Sequence, residues 1–413
     1  MKRAIYFFTI IIICFTLSSC NSKRIKNVNL KENNDFEILS KVKYPKTKYT
    51  IDNVDTSFNQ LINEFSSKMI RSIFNESQNE IFSPISLYFA LSMLTEGVSS
   101  EVALNELEQL LGSDIKSIRD DLKTVFNNNY YSNKNGRTYF ANSIWIDKSL
   151  NVNDDYITML KNYYYATSYH VNFKSTIAKE NVVKWINHYT EDLLKLSPET
   201  YELDSNLALL LINTLYFHNN WSVEFDKNAT TKNVFYTNID TKVNADFMMH
   251  KIDSYYKDTN EYTVVVDHFE NGNTITFISP KQGLDVVLNK NLLEFEQNLE
   301  KRKIIFSLPK FEINRTYMLN SNLQSYGINE IFKNSNSFNK IAPSLFVSLV
   351  RQDVGIKFDE KGVTAASASS IGLNKASLPS DDIIVTLNKP FVYIIKDQTG
   401  LPLFIGYLQN PVN

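Results

Sequence analysis

The sequence predicts an α+β fold built around large antiparallel sheets. Three observations carry this. Helical periodicity dominates the first half of the 413 residues, and alternating or continuous apolar runs dominate the second. No linker and no internal repeat divides residues 50–413, so a single domain is expected there. The hydrophobic fraction is 43 %, with 27 Phe and 23 Tyr, which suits one large core.

The elements follow in order. Phe58, Leu61, Ile62, Phe65, Met69 and Ile73 recur at three- and four-residue spacing and predict a helix. In FSPISLYFALSML, Ser83 suits an N-cap and Pro84 a first turn. Residues 85–94 are apolar around most of the circumference, which predicts a central buried helix. Ser86 inside it then needs a hydrogen-bond partner. A helix over 101–111 is stopped by Gly112. Residues 138–147 read as a strand, and 154–165 and 179–196 as helices, the latter with Val183, Ile186 and Leu193 on one side. The apolar run 207–217 is long enough for a buried strand or a helix, and periodicity does not choose. Residues 234–279 alternate as strands, with a turn at Asn271-Gly272-Asn273. A short helix over 292–299, strands on either side of Pro309 and a helix over 318–326 ended by Gly327 come next. Strands over 347–358, 383–387 and 391–395 complete the pattern.

Between the last three lies a stretch unlike the others. From Gly362 to Ser370 every residue is Gly, Val, Thr, Ala or Ser. Such a segment has little to bury as core, yet it lacks the charge and Pro density of a disordered linker. Small and β-branched side chains can enter a sheet with little steric demand; a surface loop is the alternative.

The N-terminus reads as a targeting segment. Lys2 and Arg3 precede an apolar run over 4–15, too short for a stable bilayer span. It ends in Leu17-Ser18-Ser19-Cys20, which resembles the bacterial lipobox. Residues 1–19 would then be the signal peptide and Cys20 the lipidated first residue of the mature chain. A plain secretory signal or a short anchor, with Cys20 incidental, is the alternative. Cys14 lies inside the signal, so the mature chain forms no disulfide. Residues 20–54, polar and rich in Asn and Lys over 21–47, read as a tether between lipid and domain.

Several chemistries find no support. The net charge is −2 and no basic stripe stands out, so nucleic acid is not an expected partner. None of the five histidines (His170, His188, His218, His250, His268) forms an HExxH pair, and no metal is expected. No GxSxG elbow, P-loop or dinucleotide fingerprint occurs. An enzyme is not expected, and neither is a cofactor.

Over about 55–413 the residues resemble a family, the serpins. FSPISLYFALSML resembles the start of that family's buried helix B. NTLYFHNNWSVEF, FMMH, LPKFEI, LQSYGI, DEKG, NKPFVY and LFIGYLQNP follow in family order. The resemblance implies three sheets, eight to nine helices and an exposed reactive-centre loop at about 360–380. It also implies a suicide mechanism, in which a protease cleaves the loop, forms an acyl-enzyme and is carried across as the loop inserts into the large sheet. Addition of a strand to an open sheet and release of stored strain are the physics that such a mechanism uses. The hinge would be Glu360, Gly362, Val363, Thr364, Ala365, Ala366, Ser367, Ala368 and Ser369. Val363, Ala365, Ser367 and Ser369 would turn inward; none is charged, as insertion requires. Ser83, Ser86 and Asn213 match the polar shutter, whose histidine position falls on Gln352. Trp221 matches the tryptophan at the top of the sheet, the breach. The reactive bond counts to Ala376–Ser377, with Lys375 and Leu373 as alternatives. These would suit elastase-like, trypsin-like, and chymotrypsin- or papain-like proteases respectively. The expectation is a monomeric inhibitor of serine, and also of cysteine, proteases. It would be lipid-anchored in a bacterial cell envelope, at the outer membrane or cell surface. A non-inhibitory serpin acting as binding protein or chaperone is the alternative.

Overall fold

A computed structural model describes residues 27–46, 51–237, 241–333, 336–363 and 382–412. The first block of the chain is β1 (Phe36–Ser40), α1 (Thr56–Ile73), β2 (Glu80–Phe82), α2 (Pro84–Glu96), α3 (Glu101–Leu111) and α4 (Ile115–Asn128). Then come β3 (Tyr131–Ser132), β4 (Gly136–Asp147), α5 (Asp154–Tyr164), β5 (Ala166–Val171), α6 (Thr176–Tyr189) and β6 (Leu209–Asn220). The second half holds β7 (Thr231–Tyr236), β8 (Lys242–Asp258), β9 (Tyr262–His268), β10 (Thr274–Pro280), α7 (Asp285–Leu288) and β11 (Glu300–Pro309). It closes with β12 (Phe311–Met318), α8 (Asn320–Ser325), β13 (Arg351–Phe358), β14 (Gly362–Val363), β15 (Ile383–Thr386), β16 (Phe391–Lys396) and β17 (Pro402–Leu408).

The large sheet has the order β1-β5-β4-β6-β14-β13-β12, with β3 added to β4. The remaining strands form one network, β15-β11-β8-β9-β10-β16-β17-β2, with β7 on β8. The two smaller sheets meet in the 17-residue β8, whose length serves both β11 and β9. Helix α2 lies beneath the large sheet and is buried on nearly every side, as its apolar circumference requires. The core runs from α1 and α2 through β6, β11 and β16. Among the described residues no helix is long and apolar enough to cross a membrane, and no cluster of His, Cys, Asp and Glu could hold a metal.

Three expectations change. The open run 207–217 is a strand from Leu209 onward, because β4 pairs with residues 209–219. Helix α6 ends at Tyr189, not 196. Asn187 hooks the backbone of Leu196 through both amide atoms, and Glu191, Asp192 and Lys195 take left-handed conformations. The tether is also shorter than read. Within 20–54, residues 27–46 pack on the domain. β1 pairs antiparallel with β5, and Phe36 is fully buried against Tyr169 and Trp145, at ring distances of 5.4 and 5.7 Å. Lys31 exchanges two backbone bonds with the Asn181 amide of α6. Tyr44 stacks on Tyr130 at 5.0 Å. The alternation of Phe36 and Ile38 in FEILS is the signal for this strand.

Candidate functional site

β14 is the feature that organises the site. Its two residues fill the upper end of a gap between β6 and β13: Gly362 pairs with Asn220, Val363 with Asn219, and Phe358 with Val363. Val363 is fully buried. Below these pairs, among the described residues, no ladder joins β6 to β13. The two strands are left as the lips of a slot floored by α2. A cavity of about 50 Å³ remains there, lined by Ser86, Leu91, Leu211, Asn213, Val350 and Gln352. Residues 347–350, read from sequence as strand, make no ladder at this lip. Gly362 is required by close approach, since a Cβ there would stand 2.1 Å from the Asn219 carbonyl oxygen.

A clamp holds the chain just before β14. The Trp221 indole donates to the Asp359 carbonyl at 2.9 Å, and the Trp221 and Phe225 amides donate to the Lys361 and Glu360 carbonyls. Trp221 is fully buried and stacks on Phe269 at 4.9 Å. The Glu360 carboxylate takes two bonds from Lys310 Nζ, both 3.0 Å, and one from the Thr230 hydroxyl at 2.9 Å. Burial pushes this carboxyl up, but the bonds from Lys310, its own amide and Thr230 outweigh burial, and its pKa is lowered. A lowered folded-state pKa gives stability that is present above the ordinary carboxyl value near 4.5 and is lost as pH falls through the lowered one. The wild type should therefore melt above Glu360→Gln at neutral pH, and the two midpoints should converge in acid. A gap that persists in acid would mean that the charge is not what holds the clamp.

The polar cluster on the slot floor is assembled in part. The Ser83 hydroxyl donates to the Leu403 carbonyl at 2.8 Å and meets the Ser86 hydroxyl at 2.9 Å. Ser83 stands at the N-cap position of α2, as expected, but its hydroxyl accepts no capping bond from the helix. Gln352 bonds the Ser83 backbone twice, at 3.0 and 2.9 Å. Asn213 lines the same cavity but bonds Asn142 across the β4–β6 register instead, and its Oδ1 has no partner among the described residues. Sequence reasoning misses Asn142, Phe225, Thr230 and Lys310. Only the facing register of Asn142 and Asn213 could have pointed to the first. Cys20, Thr364, Ala365, Ala366, Ser367, Ala368, Ser369, Leu373, Lys375, Ala376 and Ser377 lie outside the described residues.

The family model for serpins (serine protease inhibitor) matches residues 60–411. Alpha-1-antiproteinase 2 of Equus caballus is 29 % identical over 373 residues, covering 84 % of this chain and 86 % of the relative. Among solved structures, the thermophilic serpin Tengpin in its native state superposes with a TM-score of 0.81 at 22 % identity, covering 91 % of this chain and all of that one. Human thyroxine-binding globulin superposes with a TM-score of 0.78 at 21 % identity, covering 86 % and 99 %. With a match to the family model over most of its length and a sheet arrangement to go with it, the chain belongs to the serpin family.

Proposed function

We propose that the protein inhibits serine endopeptidases, and papain-like cysteine proteases, as a suicide substrate. Most members of the family inhibit proteases and do not catalyse reactions. One observation carries the reading for this chain: β14 begins a strand in the large sheet, and below its two pairs no ladder among the described residues joins β6 to β13. Continuing its register residue by residue would set Ala365 against Phe217, Ser369 against Asn213 and Leu373 against Leu209, the first residue of β6. The residues that would face α2 down to Ser369 are small and uncharged. New ladder bonds and apolar burial would drive the insertion from a kinetically held native state. The bait is Ala376–Ser377, with Lys375 and Leu373 serving proteases of other specificity.

Incubation with elastase-like, trypsin-like and papain-like proteases should give an SDS-stable complex with at least one of them. Cleaved chain beside fully active protease in every case would end the proposal. The second reading, a non-inhibitory binding protein, draws on the likeness to thyroxine-binding globulin. It requires no rise in melting temperature after loop cleavage, whereas insertion raises it. Cys20, once lipidated, would hold the inhibitor on the bacterial envelope, and Cys20→Ala should then leave the membrane fraction.

A further inference from the structure

The N-terminal segment docks early, and this shortens the reach from Cys20. Asn27 is the first described residue. It lines a small cavity with Ile38 and Lys41 of its own segment, Thr167 of β5 and Tyr189 of α6. Leu30 and Phe36 beyond it are buried. The six residues between Cys20 and Asn27 therefore span at most about 25 Å. A tether over all of 20–54 would reach roughly five times as far. The domain, by its length, is roughly 50 Å across. Within it β12 lies six strand spacings from β1, roughly 29 Å away. An anchor on Cys20 thus keeps the β1 edge near a bilayer and cannot bring the β12 edge to it.

Charge agrees with that placement. Residues 21–46 hold seven Lys and Arg against three acids, although the whole chain has a net charge of −2. The remainder is therefore net acidic. The three acids lie toward the end of the segment away from Asn27. Asp35 accepts from the Asn172 amide, Glu37 stands opposite His170, and Glu32 precedes both. Lys41, Lys43 and Lys46 lie at the near end and are exposed. None of the three pairs with a carboxylate among the described residues. The run that carries them is fixed on the domain. Val42 is buried, and Tyr44 stacks on Tyr130 and meets the edge of Tyr189, whose ring lines the Asn27 cavity. Lys23, Arg24 and Lys26 come just before Asn27, and no acid occurs over 21–31.

We propose that Lys41, Lys43 and Lys46, with the three cations of 23–26, form a contact surface for anionic lipid headgroups that sets the β1 edge of the large sheet against the membrane. An acyl anchor joined to a basic patch holds more firmly than the anchor alone. An anionic surface attracts the domain by this segment and on balance repels the acidic remainder, so the contact also selects an orientation. As the docking of an anchored inhibitor this rests on the lipidation proposed above; as an affinity for anionic lipid it does not.

The test takes the mature chain from residue 20 with Cys20→Ser, which cannot be acylated, and vesicles of phosphatidylglycerol with phosphatidylcholine. Each Lys or Arg near such a surface adds roughly fivefold to partitioning, so Lys41→Gln, Lys43→Gln and Lys46→Gln together should weaken binding by roughly a hundredfold. The same three positions changed to Arg should bind as the parent does, which separates charge from folding. Binding should be lost on phosphatidylcholine alone and in about 1 M salt, where charges are screened within roughly 3 Å. Equal partitioning of the Gln and Arg variants, or equal binding to neutral vesicles, overturns the proposal. Orientation is read on the acylated chain, in which an introduced cysteine is the one free thiol, since Cys14 leaves with the signal. Leu39→Cys on β1 and Met318→Cys on β12, both exposed, carry a fluorophore in turn. A quencher on the headgroups should dim the first label and spare the second; equal quenching overturns the orientation. The lipid reading fails separately. Membranes from cells making Cys20→Ala are washed in about 1 M salt, which strips an electrostatic contact. Retention after that wash sinks lipidation alone and leaves the vesicle result standing.

Discussion

Ala365→Arg is expected to turn the protein from a trap into a plain substrate. The β14 register would place residue 365 opposite Phe217, on the face that looks toward α2. Phe217 is buried there against Phe269 and Phe404. A guanidinium entering that layer has no carboxylate to meet and must be desolvated, at a cost of about 3–5 kcal/mol. Insertion competes with hydrolysis of the acyl-enzyme. A barrier raised by even about 1.4 kcal/mol shifts that competition tenfold. The SDS-stable fraction should therefore fall by more than tenfold while the rate of first cleavage is unchanged, because the bait is untouched. Ala365→Ser is the matched control and should trap as the wild type does. An arginine variant that traps normally would show that residue 365 does not enter the sheet.

Phe36→Ala is expected to cost about 3–5 kcal/mol, the usual penalty for emptying a buried aromatic site. The ring is wedged between Trp145 and Tyr169, and its strand covers the outer edge of β5. Deleting residues 27–46 should cost more. It also removes the Asn181–Lys31 bonds that tie α6 to the N-terminal segment and bares a sheet edge. Thermal midpoints at one fixed scan rate measure both, since a kinetically held state makes the midpoint rate-dependent. An unchanged midpoint in the deletion would return the whole of 20–54 to the role of tether.

Legibility in the sequence differs from element to element. Local signals carry α2 and α3, where apolar spacing, Pro84 and Gly112 agree with the structure. Helix α4 is equally marked, by Asp114 as N-cap and by Ile115, Ile118, Leu122 and Val125, but it is absent from the elements expected above. β6 cannot be assigned alone, because what makes it a strand is β4, some 70 residues earlier along the register. Of the slot residues, Ser83 and Ser86 stand out locally on an apolar helix, whereas Asn213 and Gln352 are reached only through family order. The clamp partners Phe225, Thr230 and Lys310 have no signal, since Glu360 meets them only across 50 to 135 residues of chain. Polar bonds between distant segments follow from topology, and topology is what a single sequence states least directly.

The parallel pairing of β15 with β11 sets a length limit on the uncut protein. β15 runs from Ile383 beside Ile304 to Thr386 beside Ser307, and β11 leads on to Lys310 at the clamp. Asp382 therefore sits past the upper end of the large sheet. Laying the chain along the slot from Val363 to Leu373 uses roughly 34 Å of sheet. Only residues 374–381 would remain to climb back to Asp382. Their nine steps span at most about 32 Å, short of the slot alone and shorter still of the distance beyond it. An intact loop cannot fill the slot to the end of β6 while β15 stays paired. The fold thus contains an interlock made of contour length, which a cut peptide bond removes at once and which heat or denaturant can remove only by stripping β15 from the sheet.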